Sequence, residues 1–70
     1  MDLDNIKALC EGGDIYASND DYANAILCWS LAAEDNADHE GKYRLGICYY
    51  EGKGIKQDMF SAISWLNNAS

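Results

Sequence analysis

The chain has 70 residues, with 12 acidic and 5 basic side chains and a formal net charge of −7 at neutral pH. A chain of this length forms one domain and buries only about 60% of the surface that its unfolded form exposes, so its core is small. Direct binding of DNA or RNA is disfavoured because it needs clustered Lys and Arg to replace phosphate counterions. An anionic membrane is disfavoured for the same reason.

The net charge is confined to the first half of the chain. Residues 1–35 hold eight acids and one base, which gives −7, whereas residues 36–70 hold four of each, which gives zero. The acidic N-terminus and the lack of a long apolar run predict neither a signal peptide nor a membrane helix. We therefore expect a cytoplasmic protein whose function uses an acidic first half.

Apolar residues recur at helical spacing in four segments, and no segment alternates as a strand would. The pattern predicts helices over about 3–17, 21–34, 39–51 and 59–69, joined by short links that make neighbours antiparallel. The expected inward side chains of the first helix are Leu3, Ile6, Leu9, Cys10, Gly13, Tyr16 and Ala17. The expected N-caps are Asp2, then Asn19 or Asp20, then Asp38 and Asp58, and the glycines at 52 and 54 are expected to end the third helix.

The four helices form two copies of one unit. Gly13 and Tyr16 recur 33 residues later as Gly46 and Tyr49. In the second helix of each pair the offset is 37, and it relates Ala25, Ile26, Trp29 and Ala32 to Ala62, Ile63, Leu66 and Ala69. The sequence therefore predicts one all-α domain over 1–70, a short α-solenoid of two stacked antiparallel hairpins, with repeat one over about 3–37 and repeat two over about 38–70.

Residues 41–69 resemble one Sel-one-like repeat. The positions that match the family pattern are Leu45, Gly46, Tyr49, Gly52, Gly54, Asp58, Ala62, Trp65 and Ala69, and the departures are Gly41, Ile55, Ser61 and Ser70. Residues 6–39 are similar instead to the related tetratricopeptide repeat, through Gly13, Tyr16, Ala25, Trp29 and Ala32, with Gly12 in place of that family's leucine.

The resemblance implies a binding surface formed by the first helix of each hairpin, which in such repeats holds a peptide or protein. The partner-binding residues that it implies here are Lys7, Glu11, Asp14, Glu40, Tyr43, Arg44, Ile47 and Tyr50, with Ser18 and Glu51 beside them. Tyr and Arg are the types enriched at binding hot spots. A charged helix face that is simply solvated is the competing interpretation for Lys7 and Glu11.

The chain shows no catalytic or cofactor motif. Three cysteines, Cys10, Cys28 and Cys48, with His39 could nominally form a zinc site, but none are closely paired, and their helical positions are typical of small buried side chains. Their odd number favours free thiols. We therefore expect a non-enzymatic protein with no metal and no cofactor.

Two functions follow as hypotheses. The first is a module that binds a basic protein or peptide through the first and third helices. The second is a small acidic inhibitor that blocks the nucleic-acid site of a basic enzyme, as toxin-immunity or phage anti-defence proteins do, since opposite charge speeds encounter. A third hypothesis is that the chain is a repeat fragment with no partner of its own. Met59, Phe60 and Trp65 could be partly uncovered, in which case the last hairpin forms a homodimer or the fourth helix joins the interface with the partner. The alternative, which its place in the repeat favours, is that Trp65 is fully buried.

Overall fold

The computed structural model describes residues 3–36 and 38–69. These residues form four helices, α1 (Leu3–Ser18), α2 (Tyr22–Ala33), α3 (Glu40–Glu51) and α4 (Met59–Asn68), and include no strand. α1 packs against α2, α2 against α3 and α3 against α4. The predicted all-α fold of two stacked helix hairpins is confirmed, and each helix boundary lies within one residue of its predicted position.

Trp29 of α2 lies at the centre of the molecule, 3% exposed. It belongs to one core cluster with Ala25, Ala33, Leu45 and Cys48, so this cluster joins α2 to α3. The indole Nε1 also donates a hydrogen bond to the carbonyl oxygen of Cys10 in α1, at 3.4 Å. Trp29 therefore connects both helices of the first hairpin to the second hairpin.

Glycine allows the two helices of each hairpin to approach closely. A Cβ added to Gly13 would overlap the indole of Trp29, and one added to Gly46 would lie 2.8 Å from Cγ of Leu66. The two glycines are repeat counterparts, and so are the two large residues that they accommodate. Neither glycine therefore has room for a side chain, and the two helices of each hairpin pack closely at these positions.

The turn between α1 and α2 differs from the prediction, which placed the N-cap of α2 at Asn19 or Asp20. Asp20 has a φ of 59° and closes α1 instead, with its N–H bonded to Ala17 O at 3.0 Å and the Asp21 N–H bonded to Tyr16 O at 2.9 Å. Asp21 is the N-cap of α2, because its carboxylate accepts from the N–H of Asn24 at 3.3 Å. Asp tolerates the left-handed conformation better than most residues do. Asp20 can therefore close α1 at the position where the N-cap of α2 was predicted.

The start of α3 depends on Asp38, which is 2% exposed. The residue that flanks α3 is His39, which makes no side-chain cap bond. The predicted cap, Asp38, supplies those bonds, since its carboxylate accepts from the N–H of Gly41 at 3.0 Å and of Lys42 at 3.1 Å. The same carboxylate accepts from the Cys10 thiol at 3.5 Å, so it links the start of α3 to α1. The cap predicted at Asp2 lies outside the described residues.

The loop after α3 packs on the start of α2. Gly52 and Gly54 have left-handed φ values of 69° and 72°, and Gly52 ends α3 as predicted. A Cβ on Gly54 would lie 2.6 Å from Cβ of Tyr22, so this glycine is required by position as well as by conformation. Asp58 caps α4 as predicted, accepting from the N–H of Phe60 and Ser61.

Several apolar side chains are more exposed than predicted. Leu3 and Tyr16, which were assigned to the inward stripe of α1, are 57% and 41% exposed. Trp65 is half-buried rather than fully buried, although it packs against the central cluster. The spacing of apolar residues identifies the apolar side of a helix but not how much of that side the neighbouring helices cover. In a molecule of four helices, each helix has few neighbours to cover it.

The adjacent glycines of α1 give a matched test of the packing. We expect Gly12→Ala to raise the free energy of unfolding by about 1 kcal/mol, since its Cβ would meet only the Cys28 sulfur at 3.8 Å and alanine favours the helix. Gly13→Ala should lower it by about 1–3 kcal/mol, because the indole of Trp29 must move. Urea unfolding of the two variants measures both, and equal effects would contradict the packing at Gly13.

Candidate functional site

A groove of about 380 Å³ runs between α1 and α3 and is also lined by residues of α2 and of the loop after α3. Its walls carry both apolar side chains and charges of both signs. The lining residues are Asp14, Ala17, Ser18, Tyr22, Trp29, Arg44, Ile47, Cys48, Glu51 and Lys53. Because the lining comes from both hairpins, the groove exists only when the hairpins are stacked.

One end of the groove is formed by two carboxylates around one guanidinium. Arg44 Nε lies 3.4 Å from Asp14 Oδ1, and Arg44 Nη2 lies 3.8 Å from Glu40 Oε1. The first pair crosses from α3 to α1, and the second follows one turn of α3. All three side chains are between 38% and 54% exposed, so these ion pairs add little to stability and remain accessible to a ligand.

The crowding of acids is reflected in the pKa of Glu40, which lies above its ordinary value of 4.5. Burial raises this pKa, the Asp14 carboxylate raises it further, and Arg44 opposes them. The cluster holds two acids for one base, so its negative charge is only partly compensated. A cationic group entering the groove would complete the compensation.

The other end of the groove is formed by the loop after α3. Lys53 Nζ lies 5.3 Å from the centroid of the Tyr22 ring and 3.9 Å from Glu51 Oε1. The Glu51 carboxylate raises the pKa of Lys53, and Tyr22 raises it further, so the lysine keeps its charge. An acidic and a basic side chain therefore face each other at this end.

The structure brings together only some of the predicted binding residues. Asp14, Arg44 and Ile47 line the groove, and Glu40 joins them through Arg44. Lys7 and Glu11 are exposed on α1. Tyr43 and Tyr50, 49% and 52% exposed, do not line the groove, although they lie on the same helix as Arg44.

Five residues that line the groove were not among the predicted binding residues: Ala17, Tyr22, Trp29, Cys48 and Lys53. Ala17 was predicted to face inward on α1, and Cys48 was predicted to be a small buried side chain. The loop with Gly52 and Gly54 was the available signal for Lys53. It is longer than the connection between α1 and α2, so it had to pack against another part of the fold. Its contact with Tyr22 brings Lys53 into the groove.

The three cysteines are free thiols at separate places. Burial, together with the neighbouring Asp38 carboxylate, raises the pKa of Cys10 to about 12, and burial also raises the pKa of Cys48. Both thiols therefore stay protonated and unreactive at neutral pH. Over residues 3–36 and 38–69, no group of three or more His, Cys, Asp or Glu side chains could hold a metal ion.

Comparison of the chain with protein-family models, with curated proteins and with solved structures finds no match. The resemblance to Sel-one-like and tetratricopeptide repeats therefore stays a prediction from the residues. A separate search of the described helices finds none that is both long and apolar enough to cross a membrane.

The acid cluster gives a pH prediction. We expect Asp14→Asn to lower the pKa of Glu40 towards 4.5, and Arg44→Gln to raise it further, because these side chains are its negative and positive neighbours. An acid whose pKa is higher in the folded state destabilises the fold as the pH rises through that pKa, so Asp14→Asn should also flatten this decline above pH 4.5. Carboxyl-carbon NMR titration measures the shift, and an unchanged Glu40 in both variants would contradict the cluster.

Proposed function

We propose that the protein is a non-catalytic interaction module that binds a protein or peptide partner in the groove between α1 and α3. The observation that carries the proposal is the groove itself, which combines the partly exposed walls of Tyr22 and Ile47 with accessible charges from Asp14 and Arg44. Interfaces are typically built from such a mixture of aromatic, aliphatic and Arg contacts with a polar rim. The three free thiols fit a reducing compartment such as the cytoplasm.

The charges favour a partner that carries basic side chains. At the Asp14 end, two acids share one guanidinium, and Glu11 is exposed on α1 nearby in the sequence. A Lys or Arg of the partner would be attracted to this end. At the other end, Glu51 and Lys53 offer one charge of each sign, so a mixed segment fits there. The preferred ligand is a peptide that is basic at one end and mixed in charge at the other.

The test uses peptides as probes. Lysine- and arginine-rich peptides, with glutamate-rich peptides of the same length as reference, are titrated into the isotope-labelled chain and followed by amide NMR shifts. We expect the basic peptides to shift the amides of Asp14, Arg44 and Ile47 together. Shifts spread evenly over every acidic segment, or none at all, would contradict a groove site.

A matched pair of variants separates the site from the net charge. Asp14→Lys and Glu34→Lys each change the net charge by two units, and neither side chain is buried. Asp14 lines the groove, whereas Glu34 does not. We expect Asp14→Lys to weaken binding of the basic peptide about tenfold, a loss of about 1.4 kcal/mol, and Glu34→Lys to weaken it far less. Equal losses would mean that binding follows the net charge alone.

The acidic inhibitor is a second candidate, and the charge distribution favours it. Asp4, Glu11, Asp20 and Glu34 all expose their side chains in the half of the chain that carries −7. Such a surface could occupy the nucleic-acid site of a basic enzyme. Long-range attraction of this kind is screened by salt, so the inhibitor should associate with that enzyme far more slowly at high ionic strength. An association rate that does not change with salt would remove this candidate.

A further inference from the structure

Two uncovered surfaces lie at opposite ends of the two-hairpin stack. The N-terminal end face consists of Ala8, Gly12 and Ile15 of α1 with Leu27 and Leu31 of α2. The C-terminal end face consists of Tyr43 and Tyr50 of α3 with Met59 and Ile63 of α4. The large side chains of both faces are well exposed, from 47% for Met59 to 64% for Ile15.

The position of each face follows from the helical rotation of about 100° per residue. Leu45 and Cys48 of α3 pack in the central cluster with residues of α2. Tyr43 and Tyr50 are two residues away from them, about 200° around the helix, and therefore point away from the first hairpin. In α1, Ile15 is related in the same way to Ala17, which packs against the central cluster, so Ile15 points away from the second hairpin.

The internal repeat relates these faces to the interface between the hairpins. With the offset of 33, the exposed Tyr43 and Tyr50 correspond to Cys10, which is buried, and Ala17, which is partly buried. With the offset of 37, the exposed Met59 and Ile63 correspond to Tyr22 and Ile26, which pack against the central cluster. The C-terminal end face is thus the counterpart of the first hairpin's side of the interface.

The N-terminal end face is the counterpart of the other side. Ala8, Gly12 and Ile15 correspond to Gly41, Leu45 and Cys48, all of which are buried in the stack. Gly41 sits close to α2, since its added Cβ would lie 3.1 Å from the Trp29 carbonyl oxygen. A hollow of about 440 Å³ beside Ala8, Leu9 and Leu31 leaves space on this face for side chains of a neighbour.

We infer that a second copy of this chain occupies these faces, with the C-terminal end face of one copy stacked on the N-terminal end face of the next. This arrangement would repeat the packing of α2 on α3, now between α4 of one copy and α1 of another. The charges permit it, because α4 has no charged side chain and residues 36–70 have a net charge of zero, so the acidic half of one copy meets a neutral half of the other. The contact is separate from the groove.

Such a contact joins two different faces, so it leaves one of each face open and allows assembly to continue beyond a dimer. The copies still repel each other through their net charge of −7. Salt should therefore strengthen the association, since it screens this repulsion and leaves the apolar contact in place. This response is opposite to that of the acidic inhibitor with its basic partner.

The test is sedimentation equilibrium of the full chain at high salt, from micromolar to millimolar concentration. We expect the average mass to rise past that of a dimer. Ile15→Glu and Ile63→Glu each spoil one face, so each variant alone should be monomeric, with at least a tenfold loss in association constant. An equimolar mixture of the two should form dimers and nothing larger, because one intact face of each kind remains. Both side chains are more than half exposed, and far-UV circular dichroism checks that the variants fold.

The control is Ser64→Glu, which adds a charge to an exposed position of α4 next to Ile63 but outside the defined face. It should associate like the unmodified chain, and an equal loss would contradict the inference, because the contact would then not depend on the defined face. A chain that stays monomeric at every concentration would overturn the inference and leave the faces to another protein. Dimers of Ile15→Glu alone, with no rescue in the mixture, would overturn it in favour of a symmetric contact through α4.

Discussion

The structure depends on the placement of one side chain, the indole of Trp29. It lies against Gly13 of α1, its Nε1 bonds to the Cys10 carbonyl oxygen, and it shares a cluster with Leu45 and Cys48 of α3. A thin molecule, 13 Å in its smallest dimension, has few positions where a large side chain can be covered on all sides. Trp29 occupies such a position. It also contributes to the lining of the groove, because α1 and α3 both pack around it.

Polar contacts also connect the two hairpins. The buried Asp38 carboxylate holds the first free N–H groups of α3 and accepts from the Cys10 thiol of α1. Removing a buried acceptor leaves these groups unpaired, which costs about 1–3 kcal/mol. At the open side of the same boundary, Arg44 reaches Asp14 across the groove. The boundary between the hairpins is therefore apolar at its centre and polar at its edge, as in an interface between proteins.

Much of this could be predicted from the sequence, because the internal repeat constrains it. The four helices, the close approach at Gly13 and Gly46, and the glycine turn after α3 all follow from residue types at repeated spacings. The N-cap of α2 did not, since it was predicted at Asn19 or Asp20 and lies at Asp21, and these adjacent polar residues differ there only in backbone conformation. Of the residues that line the groove, Asp14 and Arg44 belong to the predicted binding set and Lys53 does not.

Apart from Met59, which was expected to be uncovered, the end faces could not be predicted from the sequence, and the reason is different. A helical pattern marks Ile63 and Tyr43 as apolar or aromatic, but whether such a side chain is covered depends on which helix lies beside it. Counterparts with nearly the same local sequence role, such as Ile26 and Ile63, have different surroundings because one has a neighbour and the other does not. Exposure here is a property of position in the stack. For the same reason, Tyr43 and Tyr50 of α3 lie away from the groove, although the repeat resemblance placed them in one binding set with groove residues.

The central claim is that Trp29 makes the two hairpins one cooperative unit, and native-state amide hydrogen exchange in increasing urea tests it most directly. Because the indole contacts α1 and packs with α3, we expect the slowest amides of α1, α2 and α3 to exchange through a single opening, with one free energy and one dependence on urea. Exchange of α3 at a lower free energy, while α1 and α2 remain protected, would contradict the claim.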